Sequence, residues 1–370
     1  MNKAYIFVDN LKIGGYQRLS LDQAYALTDL NYSVTIIVLS PRSEWAAAII
    51  EKKELDLKKI ELLESKNSRI ALLQFISKKL PLDSADCVVI SHSLRSTLVL
   101  RFINILLRRK FTINTTLHQL PRLSHLSQRI KRFIYAQFTD NLYCFSKASE
   151  ISWYTQFGDR YEGVISKYSK QIITLRNGVY LGRLPAKQLV NKNESRPRII
   201  YLGRLSFWKG LDTIKKLAKS EALSEFDFVL MVPAITPKDL QEMQTILGSR
   251  LNVIEGKSVA SLKSQDGDVH IYPANYGNEV ELIESISLNC LEMSAIGIPS
   301  VVTSGGLFTW PELAETGLVQ EVDWSNIAEV VTAIRLSKDL TISPAELSDV
   351  RKLVDINRQI ENLLQRNLLN

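Results

Sequence analysis

The 370-residue sequence predicts an α/β protein of two Rossmann-like, doubly wound domains, each built on a parallel sheet and facing the other across a cleft. Three observations carry that expectation. Short β-branched apolar runs alternate with longer amphipathic stretches, as strands joined by crossover helices require. The pattern stops at a polar segment and then restarts. The length is generous for one core and comfortable for two.

The strands predicted in the first half are AYIFVD, SVTIIVL, DCVVISH, TINTTLH, NLYCFS and KQIITLR. Helical stretches lie between them, from Tyr16 to Leu30, Leu94 to Leu107 and Ser124 to Phe138. Residues 187–198 are then polar, with Pro185 and Pro197 at the flanks, which marks a boundary. RIIYLG, FDFVLMV, LNVIEG, DVHIYP and IPSVVTS resume the alternation. The expected division is a first domain over 1–185, a linker over 186–196 and a second domain over 197–345. A periodic helical stretch, 346–370, could cross back to brace the first domain. In doubly wound folds the ligand lies at the carboxyl ends of the strands.

The net charge of +7 hides an asymmetry. Residues 1–190 carry 28 Lys and Arg against 15 Asp and Glu, whereas residues 191–370 carry 18 against 24. A basic half joined to an acidic half implies different partners, and an anionic leaflet or phosphate-bearing acceptor suits the first. The start MNKAYIFVDN is too short in apolar residues for a signal peptide, and no apolar run approaches the roughly 20 residues of a membrane span. Cys87, Cys144 and Cys290 lie far apart, without metal-binding spacing, and point to a reducing, cytoplasmic setting.

Three constellations carry chemistry. The first is EVELIESISLNCLEMSAIGIPSVVTSGG, in which Glu284 and Glu292 are eight residues apart. That is a little over two helical turns, which places one carboxylate at a helix N-terminus and the other a layer below. A helix N-terminus suits the phosphates of a nucleotide sugar, with the carboxylates accepting sugar and ribose hydroxyls. A helix-end charge and a solvated face residue would give the same spacing. The second is IIYLGRLSFWKGLDTIKKL, where Arg204 and Lys209 flank a strand-end loop. Two cations there suit a diphosphate leaving group, although such residues are as often merely solvated. The third is NLKIGGYQR, whose Gly14 and Gly15 either admit a ligand close to the backbone or make a tight turn.

Together, in this order, these segments resemble the family-4 retaining glycosyltransferases of the GT-B fold. GRLSFWKG at 203–210 is similar to that family's diphosphate loop, and Glu284 and Glu292 fall on its paired-glutamate motif. EMSAIGIPSVVTS, RNGV at 176–179 and CFSKAS at 144–149 match further segments, and His118 stands where the family carries a histidine facing the transferred sugar. The resemblance implies that Arg204 and Lys209 hold the diphosphate, Glu292 the ribose and Glu284 the donor sugar. Ser287 and Leu288 belong to the same donor site, Gly15 to the loop beside the phosphates, and His118 and Glu284 to the catalytic centre. His92 and Gly14 are assigned to the acceptor side, where an interior histidine is the alternative for His92. No cofactor or metal is expected beyond the nucleotide-diphosphate sugar, a UDP-sugar in the expected case. The implied role is surface-polysaccharide or lipopolysaccharide synthesis on a glycan or lipid-linked acceptor.

Two segments depart from the family pattern. Ser285, Ile286 and Ser287 replace Gly-Phe-Gly, and GGLFTWPE at 305–312 stretches a shorter motif, adding Phe308 and Trp310 as acceptor-lining or core residues. Asp266-Gly267-Asp268 imitates a metal motif, but Asp-Gly before a strand most simply makes a turn. ILLRRKF at 105–111 and RLSHLSQRIKRFIYAQF at 122–138 suit an anionic membrane surface, or the solvated face of a Rossmann helix. No recognised nucleic-acid motif accompanies these basic residues. The first of these two readings would place the protein peripherally on the inner face of the cell membrane, and the second leaves it in the cytoplasm. A nucleotide-sugar epimerase and a catalytically silent GT-B partner are the rival functions.

Overall fold

The β-branched runs form strands because residues buried on both faces of a parallel sheet must be apolar throughout, without alternation. In the computed structural model β1 (Lys3–Val8), β2 (Ser33–Val38), β3 (Ile60–Glu64), β4 (Cys87–Ser91), β5 (Ile113–Thr116), β6 (Asn141–Cys144) and β7 (Gln171–Thr174) make one sheet. Its order is β3-β2-β1-β4-β5-β6-β7, all parallel. A second parallel sheet comprises β8 (Arg198–Leu202), β9 (Asp227–Val232), β10 (Leu251–Glu255), β11 (Val269–Tyr272), β12 (Ser300–Thr303) and β13 (Val319–Val322). Its order, β10-β9-β8-β11-β12-β13, repeats that of the first six strands of the other sheet. The structure describes residues 2–11, 15–40, 60–64, 87–106, 108, 111–116, 130, 133–135, 137–144, 171–185, 196–206, 209–256, 259–274, 287–304 and 310–368.

The sequence pattern missed β3 and β13. Both are edge strands carrying charge, IELLE and VQEV, and an edge strand has no neighbour on one side to demand an apolar run.

Helices α1 (Gly15–Asp29) and α2 (Leu94–Leu106) belong to the first unit. The second holds α3 (Leu211–Ala218), α4 (Pro237–Leu247), α5 (Leu288–Ala295), α6 (Pro311–Glu315), α7 (Ile327–Lys338) and α8 (Pro344–Val354). The final periodic stretch is two helices rather than one. Ser343 starts α8 with a capping box to Glu346, and Asp355, extended at ψ 124°, separates it from α9 (Ile356–Leu368).

The chain clusters into two compact units, residues 1–180 with 356–370, and residues 181–355. Within the first, α9 packs on α1 and the Ile356 amide donates to the Val179 carbonyl at 3.1 Å. A Cβ at Gly178 would lie 2.7 Å from the Ile356 Cα, so the RNGV turn accepts only glycine there. The first core gathers Tyr5, Phe7, Val89, Leu100 and Ile103, and the second Tyr201, Phe226, Phe228, Leu230 and Ile334.

Candidate functional site

In a doubly wound sheet the crevice opens where the strand order reverses, between the first strand and the fourth. In the second unit these are β8 and β11. β8 runs into Gly203 and the exposed Arg204, and β11 into Tyr272 and Pro273.

The loop after β8 is held tightly. The buried Tyr201 hydroxyl donates to the Arg204 carbonyl at 2.7 Å, and burial keeps its phenol protonated by raising its pKa. The Lys209 amide closes a turn on the Ser206 carbonyl at 2.9 Å. Gly210 then caps α3 at φ +81°, where a Cβ would stand 2.0 Å from the Pro273 carbonyl oxygen. No other residue fits that approach. It brings the loop after β8 against the end of β11 and sets the Lys209 ammonium over the Tyr272 ring, 4.8 Å from its centroid. Lys209 Nζ also hydrogen-bonds the Tyr272 hydroxyl.

Helix α5 starts beside the same strand end. The Asn289 side-chain amide donates to the Leu202 carbonyl at 2.6 Å, tying the first turn of α5 to β8. Ser287 is the N-cap and accepts from the Asn289 amide at 3.3 Å. The Lys209 charge reaches this turn: it opposes the upward shift that burial imposes on the Cys290 thiol. A cation and a helix N-terminus thus meet at the switch point, an arrangement that attracts a diphosphate.

Glu292 lies one turn deeper, 5 % exposed, and its Oε1 pairs with the Arg183 guanidinium. Arg183 comes from the short turn Leu181–Arg183. A carboxylate has four lone-pair sites, so the pair orients Glu292 and leaves capacity for other donors. Arg351 holds the far end of α5, donating to the Ala295 carbonyl at 2.9 Å.

The structure thus places Lys209 near the first turns of α5, which hold Ser287, Leu288 and Glu292, and leaves Arg204 exposed on the loop after β8. Glu284, His118 and Gly14 lie outside the described residues, as do Ser285, Ile286 and Phe308. The expectation that a helix N-terminus lies at Glu284 needs correction, since α5 begins at Leu288 behind its Ser287 cap. Sequence reasoning missed Tyr201, Tyr272, Asn289 and Arg183. Asn289 carried a faint signal, an amide side chain in the first turn of a helix; the others carried none.

At the equivalent switch point of the first unit, β1 runs into Asp9 and Asn10 and β4 into serines. Ser93 donates to Asp9 at 2.6 Å, and Ser91 lies 2.6 Å from Ser96 and 2.9 Å from Thr97. Thr97, Thr115 and Thr139 continue the chain at 3.0 and 2.9 Å. Asn10 accepts from Tyr16 and Gln17, fixing the start of α1, where Gly15 is exposed and a Cβ would meet nothing within 4 Å. His92 is buried, its Nε2 is 2.8 Å from Gln23 Oε1, and burial pushes its pKa down to about 3. That geometry is the interior alternative for His92.

Two further segments have structural roles. Asp266 and Gly267 form a turn, and Asp268 is spent on Arg198 through contacts of 2.8 and 2.6 Å. Trp310 is fully buried at the start of α6, so it fills core. Among the described residues no helix is long and apolar enough to cross a membrane.

No family model matches the sequence, and no curated protein matches it. Solved structures do. HepE of Anabaena in complex with UDP-glucose superposes with a TM-score of 0.68 at 15 % identity, over 99 % of this chain and 100 % of that one. Sucrose-phosphate synthase of Thermosynechococcus elongatus gives 0.65 at 13 %, over 100 % and 99 %. The lipopolysaccharide outer core galactosyltransferase WaaB gives 0.60 at 12 %, over 99 % and 100 %. These likenesses establish the two-domain GT-B fold for the whole chain.

Proposed function

We propose that the chain is a retaining, metal-independent glycosyltransferase that moves a sugar from a UDP-sugar to a glycan or lipid-linked acceptor in bacterial surface-polysaccharide synthesis. One observation carries the donor site: the Lys209 ammonium and the start of α5 converge where β8 and β11 separate. The UDP-glucose complex of HepE, which shares the fold, supports the choice of nucleotide.

In this reading the diphosphate lies between Arg204 and Lys209, over the amides that follow Ser287. Glu292, oriented by Arg183, accepts the ribose hydroxyls, while Glu284 and His118 take the sugar, as the sequence resemblance implies. The bond from the anomeric carbon to the β-phosphate oxygen breaks as the acceptor oxygen bonds to the same face. The departing phosphate accepts the acceptor's proton, and Lys209 and Arg204 stabilise the charge left on the diphosphate. The two glutamates therefore do not act as the acid and nucleophile of a glycoside hydrolase.

Calorimetry against UDP, GDP and their sugar conjugates, with EDTA throughout, tests the donor site. Micromolar UDP binding that vanishes in Lys209→Ala, with turnover down about 10²–10³-fold and the fold intact, is the expected result. A second reading, a silent GT-B binding protein, draws on Ser287, whose side chain already occupies the Asn289 amide that a diphosphate would use. Absence of nucleotide binding would favour it.

A further inference from the structure

The outer face of α2 is apolar. Leu98, Phe102, Ile105 and Leu106 fall at intervals that place them on one side of a helix, and they are 38, 53, 67 and 61 % exposed. The opposite side, Leu100 and Ile103, is buried in the core. Phe138 extends the exposed face into a groove shared with Leu98, Val99, Phe102, Ile105 and the stem of Arg101. Ile130 and Phe133 are half exposed as well.

The sequence that carries this face is basic. Residues 87–139 contain nine Lys and Arg and not one Asp or Glu. Arg101 is engaged by Asp140 at 2.6 Å, whereas Arg95, which donates to Ser40 and the Leu39 carbonyl at 3.5 Å, and Arg108 are exposed at the two ends of the helix. A second copy docking through the same patch would set these cations against their own symmetry mates. An anionic bilayer answers both features, taking the apolar side chains among its acyl chains and the cations at its headgroups.

We propose that the outer side of α2, with Phe138 beside it, forms the face by which the protein docks on an anionic membrane leaflet. Leu98, Phe102, Ile105 and Leu106 insert, and Arg95 and Arg108 lie at the phosphate level. The proposal deepens, and for its purpose rests on, the reading of the acceptor as lipid-linked, because docking would hold the enzyme where such an acceptor resides.

Co-sedimentation of the full chain with phosphatidylcholine vesicles, with and without phosphatidylglycerol, tests it at about 0.1 M salt, where screening still permits surface attraction. The chain is expected to bind only the vesicles containing phosphatidylglycerol. The double variant Phe102→Ser/Ile105→Ser, altered only at exposed positions, should bind them at least about tenfold more weakly. Its circular dichroism and UDP affinity should be unchanged. Vesicle binding equal to the parent's, or a parent that stays in the supernatant, would overturn the assignment. So would a parent dimer that the variant dissolves in sedimentation equilibrium, which would give the face to a second copy. The vesicle assay reads no sugar chemistry: UDP binding without vesicle binding sinks this proposal alone, and the converse sinks the donor site alone.

Discussion

At the switch point of the first sheet, β1 and β4 run out into Asp9, Ser91, Ser93 and Ser96, a mesh of hydroxyls closed on one carboxylate. At the same point in the second, β8 and β11 run out into Arg204, Lys209 and Tyr272, a cationic loop braced by an aromatic ring. The strand order is common to both. One scaffold therefore carries two kinds of strand end. Arg204 at the charged end is exposed and open to an anion, whereas Ser91, Ser96 and Thr97 at the other are fully buried and bonded to one another, so they fix the strand ends from within. The substitutions at the strand ends make the difference, because the fold fixes only where the strands end.

The glycines of the two edges offer the largest test. Gly210→Ala forces a Cβ against the Pro273 carbonyl in a left-handed conformation and should cost about 4 kcal/mol. Gly15→Ala, at a helix start with open space, should change stability by less than about 1 kcal/mol. Thermal or denaturant melts of both variants decide it. Equal losses would mean that the first edge is packed as closely as the second.

A smaller effect is expected at Arg183. Removing it leaves the Glu292 carboxylate, whose side chain is 7 % exposed, without its partner, for a loss of about 3 kcal/mol. Replacing both residues together, Arg183→Met with Glu292→Leu, should restore most of that stability while UDP affinity stays low. If the double variant binds UDP like the parent, Glu292 is structural only and the second edge is simpler than proposed.

The smallest effect is shared by both units. His92 in the first and His270 in the second are buried, and burial lowers each pKa from 6.5 to about 3. Between those values the unfolded chain binds a proton that the folded chain does not. Stability should therefore fall as pH drops below about 6.5, by about 2 kcal/mol per histidine at pH 5. His270→Asn should flatten that slope for the second unit alone, read by urea melts at pH 7 and pH 5. An unchanged slope would show that acid acts through other groups.

Legibility in the sequence followed burial. Eleven of the strands were visible as apolar runs because both faces of a parallel sheet are covered. β3 and β13 were not, since Glu61, Glu64 and Glu321 are tolerated at a sheet's edge. Lys209 and Glu292 were singled out by the family resemblance, since their spacing alone suits a solvated loop and a helix face equally. Tyr272 was not, because a tyrosine in VHIYP reads as an ordinary strand residue until the turn at Gly210 lays Lys209 over it. Arg183 was hidden for a different reason: its partner lies 109 positions along the chain.

The first unit is discontinuous: α9, which packs on α1, follows the whole of the second unit in the chain. During synthesis the ribosome releases residues 181–355 before it releases α9, so the second unit can complete its core while the first still lacks one helix. Until then the face of α1 that α9 will cover is open to chaperones and to misplaced partners. A stop codon at position 356 would make that interval permanent, leaving a finished second unit attached to an unfinished first.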